Sequence, residues 1–185
     1  MMKTVAQPST TAMPDPYAHF RFRPIRPEEI PVMFDLIRQR MAWMDRVGIR
    51  QWNVTCYDTV YPLSYFEAHR RSGEVFVLVS ADDRQILAAA VLRKDDERWQ
   101  HIPGYGSDRA VYLHNFASRV DSPGAGSAFL KKAELYAKGM GCRYFRLDSA
   151  VDNSVLTEYY TARGYLPVGR CTDGLYSGIL RQKAL

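Results

Sequence analysis

No run of about eighteen apolar residues occurs in this sequence, so it supplies no helix suited to crossing a bilayer, and a membrane is not an expected partner. Cysteine is scarce: Cys56, Cys142 and Cys171 lie far apart and form neither a C-x-x-C pair nor a zinc-ligand spacing. Their pattern excludes a disulfide-stapled scaffold and predicts no metal site; reduced thiols in a cytoplasmic protein are the expectation. The first nineteen residues lack an apolar h-region and mix Pro8, Pro14 and Pro16 with serine, threonine and alanine. This excludes a standard secretory signal and predicts a loosely attached tail over 1–19. A stripe of basic residues interleaved with aromatics is also missing, so nucleic acid is not an expected partner. The net charge of +5 is spread over separate groups, such as Arg21, Arg23 and Arg26, and is interrupted by Asp82-Asp83 and Asp95-Asp96-Glu97. It reads as a solvated basic surface.

What the 185 residues do contain is one core's worth of chain, with 46% hydrophobic and 24% charged residues, and a single domain over 20–185 is expected. FRFRPIR (20–26) alternates like a half-buried strand. Pro27-Glu28-Glu29 opens a helix whose Ile30, Met33, Phe34, Ile37, Met41 and Met44 recur at helical spacing, and Gly48 stops it. Residues 49–61 read as irregular or as a broken second helix, and Leu63 to Arg71 as a short helix. Val75–Ser80 and Ile86–Arg93 are near-continuous apolar runs, which suits strands covered on both faces. Residues 94–109 read as a charged surface loop. A strand (Val111–Ser118), a helix (about 124–138), a strand (Tyr144–Leu147), a helix (about 154–163) and two strands (Tyr165–Cys171, Leu175–Arg181) complete the chain. The order implies an α/β mixed sheet with helices on both faces.

The most informative unit is the strand 111–118 running through Arg119-Val120-Asp121-Ser122-Pro123-Gly124-Ala125-Gly126-Ser127 into a helix. Free amides of a helix's first turn can hold a pyrophosphate, and glycine lets backbone approach it. The same residues also suit an ordinary capped helix, with Ser122 as cap and Pro123 at the first position. A dinucleotide-binding reading fails because the G-x-G-x-x-G pattern is incomplete.

From Asp121-Ser122-Pro123-Gly124-Ala125-Gly126 through GSAFLKKAELYAKGMGCRYFRLD, the chain resembles the GNAT acetyltransferases, whose loop at this place reads [RQ]-x-x-G-x-[GA]. Further on, Asn153, Tyr160, Gly164 and Tyr165 match that family's N-x₆-Y-x₃-G-[FY]. The stretch Trp43–Asn53 is similar to a segment of some bacterial members. The resemblance implies a mostly antiparallel sheet of about seven strands and acetyl-CoA as cosubstrate. It also implies direct transfer of an acetyl group to a primary amine of a small molecule, amino acid or peptide. A homodimer paired through the last strands is one assembly it leaves open. One departure stands at the head of the loop, where Asp121 replaces the family's basic or amide residue and would repel a pyrophosphate. A degenerate CoA-binding module without turnover is therefore the alternative.

By that resemblance, Phe116, Ala117 and Ser118 would hold the pantetheine arm through backbone, and Gly124, Ala125, Gly126 and Ser127 the phosphates. Asn153 and Tyr160 would complete the cofactor side, with Tyr160 as the general acid for the departing thiolate. His114, on the strand with Tyr112 and Phe116, is the first candidate base because imidazole titrates near neutrality; Asp148 and a water chain are the others. Trp43, Trp52, Tyr57 and Tyr61 could line an acceptor slot, with core packing as the plainer reading.

Overall fold

A computed structural model describes residues 19–185; apart from His19, the expected tail lies outside the described residues. Phe22 alternates with Arg21 and Arg23 in the edge strand β1 (Arg21–Pro24). A 3-10 turn over Pro27–Glu29 leads into α1 (Ile30–Val47), which buries Ile30, Met33, Ile37 and Met44 along one stripe. Gly48 ends it with φ 73°, the left-handed conformation that glycine adopts without steric cost. The next segment is broken as expected: a 3-10 turn at Trp52–Val54, a single helical turn α2 (Tyr57–Val60), then α3 (Leu63–Arg71). The strands β2 (Val75–Val79), β3 (Ile86–Arg93) and β4 (Ala110–Ser118) precede α4 (Ala125–Gly139). Then come β5 (Tyr144–Ala150), α5 (Ser154–Thr161), β6 (Leu166–Asp173) and β7 (Tyr176–Ala184). Among the described residues, no helix is long and apolar enough to cross a membrane.

The seven strands form one sheet in the order β1-β2-β3-β4-β5-β7-β6, antiparallel except for β4 against β5. Strand periodicity sorts the core into two layers. Phe76, Leu78, Leu113 and Leu147 face Phe129 and Ala133 of α4, while Val75, Val77, Ala89 and Val91 face Met33 and Ile37 of α1 and Phe66 of α3.

Residues 94–109 depart from the expectation of a surface loop. They include a 3-10 turn, Glu97–Trp99, and Trp99 is fully buried in a third cluster with Ile102, Tyr112 and Leu180. The physical reason is coverage: α1 and α3 pack over β2 and β3, and this segment closes the same face over β4 and β7. Arg146 of β5 is fully buried beneath it, donating to the Tyr112 hydroxyl (2.7 Å) and to Gln182 Oε1 (2.7 Å), with its guanidinium 5.2 Å from the Trp99 ring centre. Truncating a tryptophan packed in this way typically costs about 3–5 kcal/mol.

Two irregularities at the sheet's centre open the site. β4 and β5 pair from Ala110↔Tyr144 to Leu113↔Leu147 and then part. Beyond that point β5 stays with β7, and β4 stays with β3. Within β4 the register slips from Val91↔His114 to Ala89↔Ala117, a bulge that sets Asn115 and Phe116 opposite Ala90. Asn115 takes φ 52°, a conformation asparagine tolerates better than most residues. The bulge also breaks the alternation expected along the strand. Tyr112 packs under Trp99, whereas Phe116 turns to the α4 side and lies 5.1 Å from the Phe129 ring. His114 and Phe116 therefore do not share a face.

Candidate active site

The parted strands open into a cavity of about 810 Å³, running from Gly124, Gly126 and Ser127 at the start of α4 to Asp173–Tyr176 in the β6–β7 turn. The Arg119 amide donates to the Leu87 carbonyl at 2.8 Å, so the backbones of Ala117 and Arg119 face β3. By the alternation of an antiparallel ladder, the Ser118 backbone turns into the cleft. Phe116 and Ser118 line the cavity; Ala117 does not, because its backbone is directed to β3 and its side chain is buried among the α1-side residues. Ala125 is likewise packed under the first turn of α4 and stays out of the cavity wall.

The helix start differs from the capped form that the sequence allowed. Gly124, with φ 87°, is the N-cap, the helix begins at Ala125, and no side chain caps it. Ser122 contributes its backbone carbonyl to the Ala125 amide (3.2 Å) rather than a hydroxyl cap. An uncapped first turn facing a cavity is the arrangement that receives anions. A Cβ on Gly126 would stand 3.3 Å from Ser118 Oγ, so the helix and the end of β4 are in close contact here. Asp121 is exposed, and Arg119 grips both of its oxygens at 2.8 and 2.6 Å. The acid that replaces the motif's basic residue is thus neutralised by its own neighbour.

Tyr160 lines the cavity from α5, with 6% of its surface exposed. Burial pushes its phenol well above the ordinary value, which keeps it protonated and able to donate. Tyr159 also lines the cavity, with the Arg163 guanidinium 3.5 Å above its ring centre. Asn153 reaches the cavity wall, but its amide is spent at both ends: Oδ1 caps α5 by accepting from the Leu156 amide (3.0 Å), and Nδ2 donates to Gln51 Oε1 (3.1 Å).

At the other end, Arg98 organises a buried polar cluster. It donates to Asp96 Oδ1 (3.0 Å) and Oδ2 (2.9 Å), pairs with Asp148 Oδ1 (2.9 Å), and donates to His114 Nδ1 (3.0 Å). Asp148 Oδ2 accepts from the Tyr176 hydroxyl at 2.6 Å. A guanidinium can only donate, so Nδ1 is the acceptor and the ring proton sits on Nε2, 3.5 Å from Asp96 Oδ2. Burial, reinforced by Arg98, holds the imidazole down at a pKa of about 4. His114 therefore has its lone pair committed and is a poor proton acceptor for a substrate. The ligand atoms of Asp96, His114 and Asp148 lie within 4.8 Å of one another, spacing that suits a metal ion. The cation among them is Arg98. The sequence drew attention to His114 and Asp148 but gave no sign of Arg98 or Asp96, which sit in the segment read as a loop.

All four aromatic candidates border the cavity. Trp52 stacks on Tyr57 (4.7 Å) and Tyr57 meets Tyr61 at the same separation, so they form one packed row. Tyr57 is buried and serves the strand bulge: Asn115 Nδ2 donates to its hydroxyl at 2.6 Å. Trp43 carries the Arg40 guanidinium 5.0 Å from its ring centre. The three cysteines are free thiols, and burial raises Cys171 to about 11, which suits a structural role rather than a nucleophilic one.

The model of the acetyltransferase (GNAT) family matches residues 41–165, a span that contains the bulged strand, the glycine loop and the tyrosine of α5. The fold is shared with a GNAT-family acetyltransferase of Listeria monocytogenes 4b F2365, at 23% identity and TM-score 0.72 over 90% of this chain and 95% of that one. A GNAT-family acetyltransferase of Streptococcus agalactiae 2603 gives 20% identity and TM-score 0.72 with the same coverage. The PaiA N-acetyltransferase of Thermoplasma acidophilum, solved in complex with coenzyme A, gives 16% and 0.67 over 90% and 99% of the two chains. No curated protein sequence matches the chain. With a family model spanning more than half of its length, this chain belongs to the GNAT acetyltransferase family, as an N-acetyltransferase that uses acetyl-CoA as its cosubstrate.

Proposed function

We propose that the protein moves the acetyl group of acetyl-CoA directly onto the primary amine of a small molecule, amino acid or peptide, with Tyr160 as the acid for the leaving thiolate. The observation that carries this reading is the parting of β4 from β5 beyond Leu113 and Leu147, which leaves a deep cleft with the start of α4 on one side and Tyr160 in its wall. Backbone of Phe116 and Ser118 would hold the pantetheine arm, and an amide of this bulged segment would meet the oxyanion. The neutral amine attacks the thioester carbonyl, a C–N bond forms, the nitrogen releases its remaining extra proton to water, and the C–S bond breaks as the carbonyl returns. Tyr160 gives its proton to the sulfur and regains one from that water. A thiol is ordinarily about 1.5 units more acidic than a phenol and burial raises Tyr160 further, so its hydrogen bond stabilises the developing thiolate before any proton is passed.

The ammonium must lose a proton before attack. His114 and Asp148 are both held by Arg98, so water in the open cavity is the proposed acceptor of that proton. At the acceptor end, Trp52 and Tyr61 offer ring faces while Asp173 brings negative charge, a combination that favours a substrate arriving as a cation. The degenerate-module alternative rested on Asp121, and the Arg119–Asp121 pair removes much of its force.

The test is an assay of thiol release from acetyl-CoA with a panel of alkyl amines, aryl amines, amino acids and short peptides, with products read by mass spectrometry. A mass gain on the amine matching thiol release one for one supports the reading. Cofactor binding without turnover on any amine would favour the degenerate module.

A further inference from the structure

Four arginines reach the wall of the cavity, and they are not equivalent. Arg98 is spent on Asp96 and Asp148, and Arg119 on Asp121. Arg40, which projects from α1, has no carboxylate partner among the described residues. Its Nη2 donates to the Ser118 carbonyl and to Ser118 Oγ at 2.5 and 3.0 Å, leaving Nε and Nη1 unspent. Ser118 Oγ is in turn the atom a Cβ on Gly126 would approach at 3.3 Å, so Arg40 stands beside the first turn of α4. Arg163, just past α5, approaches the same turn through Ser127. Its Nε and Nη2 lie 3.3 and 3.2 Å from Ser127 Oγ, and Nη1 donates to the Tyr159 carbonyl at 2.9 Å. It too has no carboxylate partner among the described residues. The ring of Tyr159 below Arg163 and that of Trp43 beside Arg40 fix the planes of both guanidinium groups.

Holding two cations in a cleft without counter-charge is unfavourable unless an anion joins them; burial already lowers the pKa of Arg40. Both flank the same uncapped helix start, Arg40 through Ser118 and Arg163 through Ser127, and arginine forks match phosphate oxygens. We propose that Arg40 and Arg163 bind the pyrophosphate of the cosubstrate, in place of the basic side chain missing where Asp121 stands. The assignment rests on acetyl-CoA being the cosubstrate and goes beyond it by naming the charges that hold it, one outside the family's glycine loop in α1 and one after α5.

The experiment is calorimetric titration of the full chain and of Arg40→Met and Arg163→Met with CoA, dephospho-CoA and pantetheine, at low and moderate salt. Each methionine variant is expected to bind CoA and dephospho-CoA about ten- to a hundredfold more weakly, the range for one charge-assisted bond, with a shallower salt dependence. Pantetheine, which has no pyrophosphate, is expected to bind all three alike. Arg40→Lys and Arg163→Lys keep the charge and should recover part of the loss, which separates charge from packing if a methionine variant is poorly folded. CoA affinities within twofold of the parent in both methionine variants would overturn the assignment. So would a loss confined to CoA with dephospho-CoA unaffected, because that places the arginines on the ribose phosphate. A parent chain that binds no CoA at all would instead overturn the cosubstrate reading.

Discussion

The side-chain amide of Asn115 donates to the buried Tyr57 hydroxyl at 2.6 Å, while its carbonyl oxygen accepts from the Tyr65 hydroxyl at 3.2 Å. Asn115 is also the positive-φ residue of the β4 bulge, so two tyrosines from the broken helical segment hold the kink that opens the cleft. An aromatic row that looked like an acceptor slot thereby gains a second role, in shaping the strand. The bond joins residues 58 positions apart, and no spacing rule connects them.

Substitutions at Asn115 separate conformation from hydrogen bonding. Asn115→Gly loses both bonds but accepts φ 52°, whereas Asn115→Ala loses the bonds and adds left-handed strain of about 1–2 kcal/mol. The alanine variant is expected to melt a few degrees below the glycine variant in thermal unfolding. Equal melting temperatures, or a higher one for alanine, would show that the bulge relaxes freely.

His114 sets a pH dependence whose sign follows from its depressed pKa. In the folded protein it titrates near 4, against about 6.5 when unfolded, so between these values the unfolded chain binds the extra proton. Stability is fully present above pH 6.5 and declines as pH falls toward 4, by on the order of 2–3 kcal/mol from this group. Arg98 and Arg93 oppose its protonation, while Asp96 and Asp148 partly offset them. His114→Gln is expected to flatten the acid side of a melting-temperature profile. A profile unchanged by the substitution would mean the imidazole does not titrate in that window.

Asp121 holds Arg119 through two bonds at the mouth of the cleft. Asp121→Asn removes the negative charge and releases the guanidinium, and CoA affinity is expected to rise by up to about fivefold, the modest scale of exposed charge pairs. Titration at low salt measures it. An unchanged or weaker affinity would show that the pair does not act on the cofactor.

Much of this fold was legible because its elements carry local signals. The stripe from Ile30 to Met44, the stop at Gly48 and the apolar runs of β2 and β3 each sit where their periodicity put them. The glycine loop and Tyr160 were legible through the family motif, and both border the cavity. What the sequence hid depends on tertiary partners. Residues 94–109 are charged and rich in turn formers, yet Trp99 and Asp96 are buried because the sheet needs a cover there, with Arg98 paired to Asp96 and the Arg146 guanidinium against the Trp99 ring. The bulge at Asn115 is invisible to a period-two pattern and moved Phe116 to the face opposite that expected. The attraction of His114 as a base lay in its intrinsic pKa, and it was burial, reinforced by Arg98 sixteen residues away, that changed it.

The central claim, that Tyr160 protonates the leaving thiolate within the parted strands, is tested most directly by Tyr160→Phe. The measurement is kcat alongside the dissociation constant of acetyl-CoA. The substitution keeps the ring that packs against Tyr165 at 5.6 Å and removes only the hydroxyl. The account expects kcat to fall by about 10²–10⁴-fold, the usual contribution of a positioned acid, with cofactor affinity nearly unchanged. An unchanged kcat, or equal losses in turnover and affinity, would contradict it and leave Tyr160 as a packing residue.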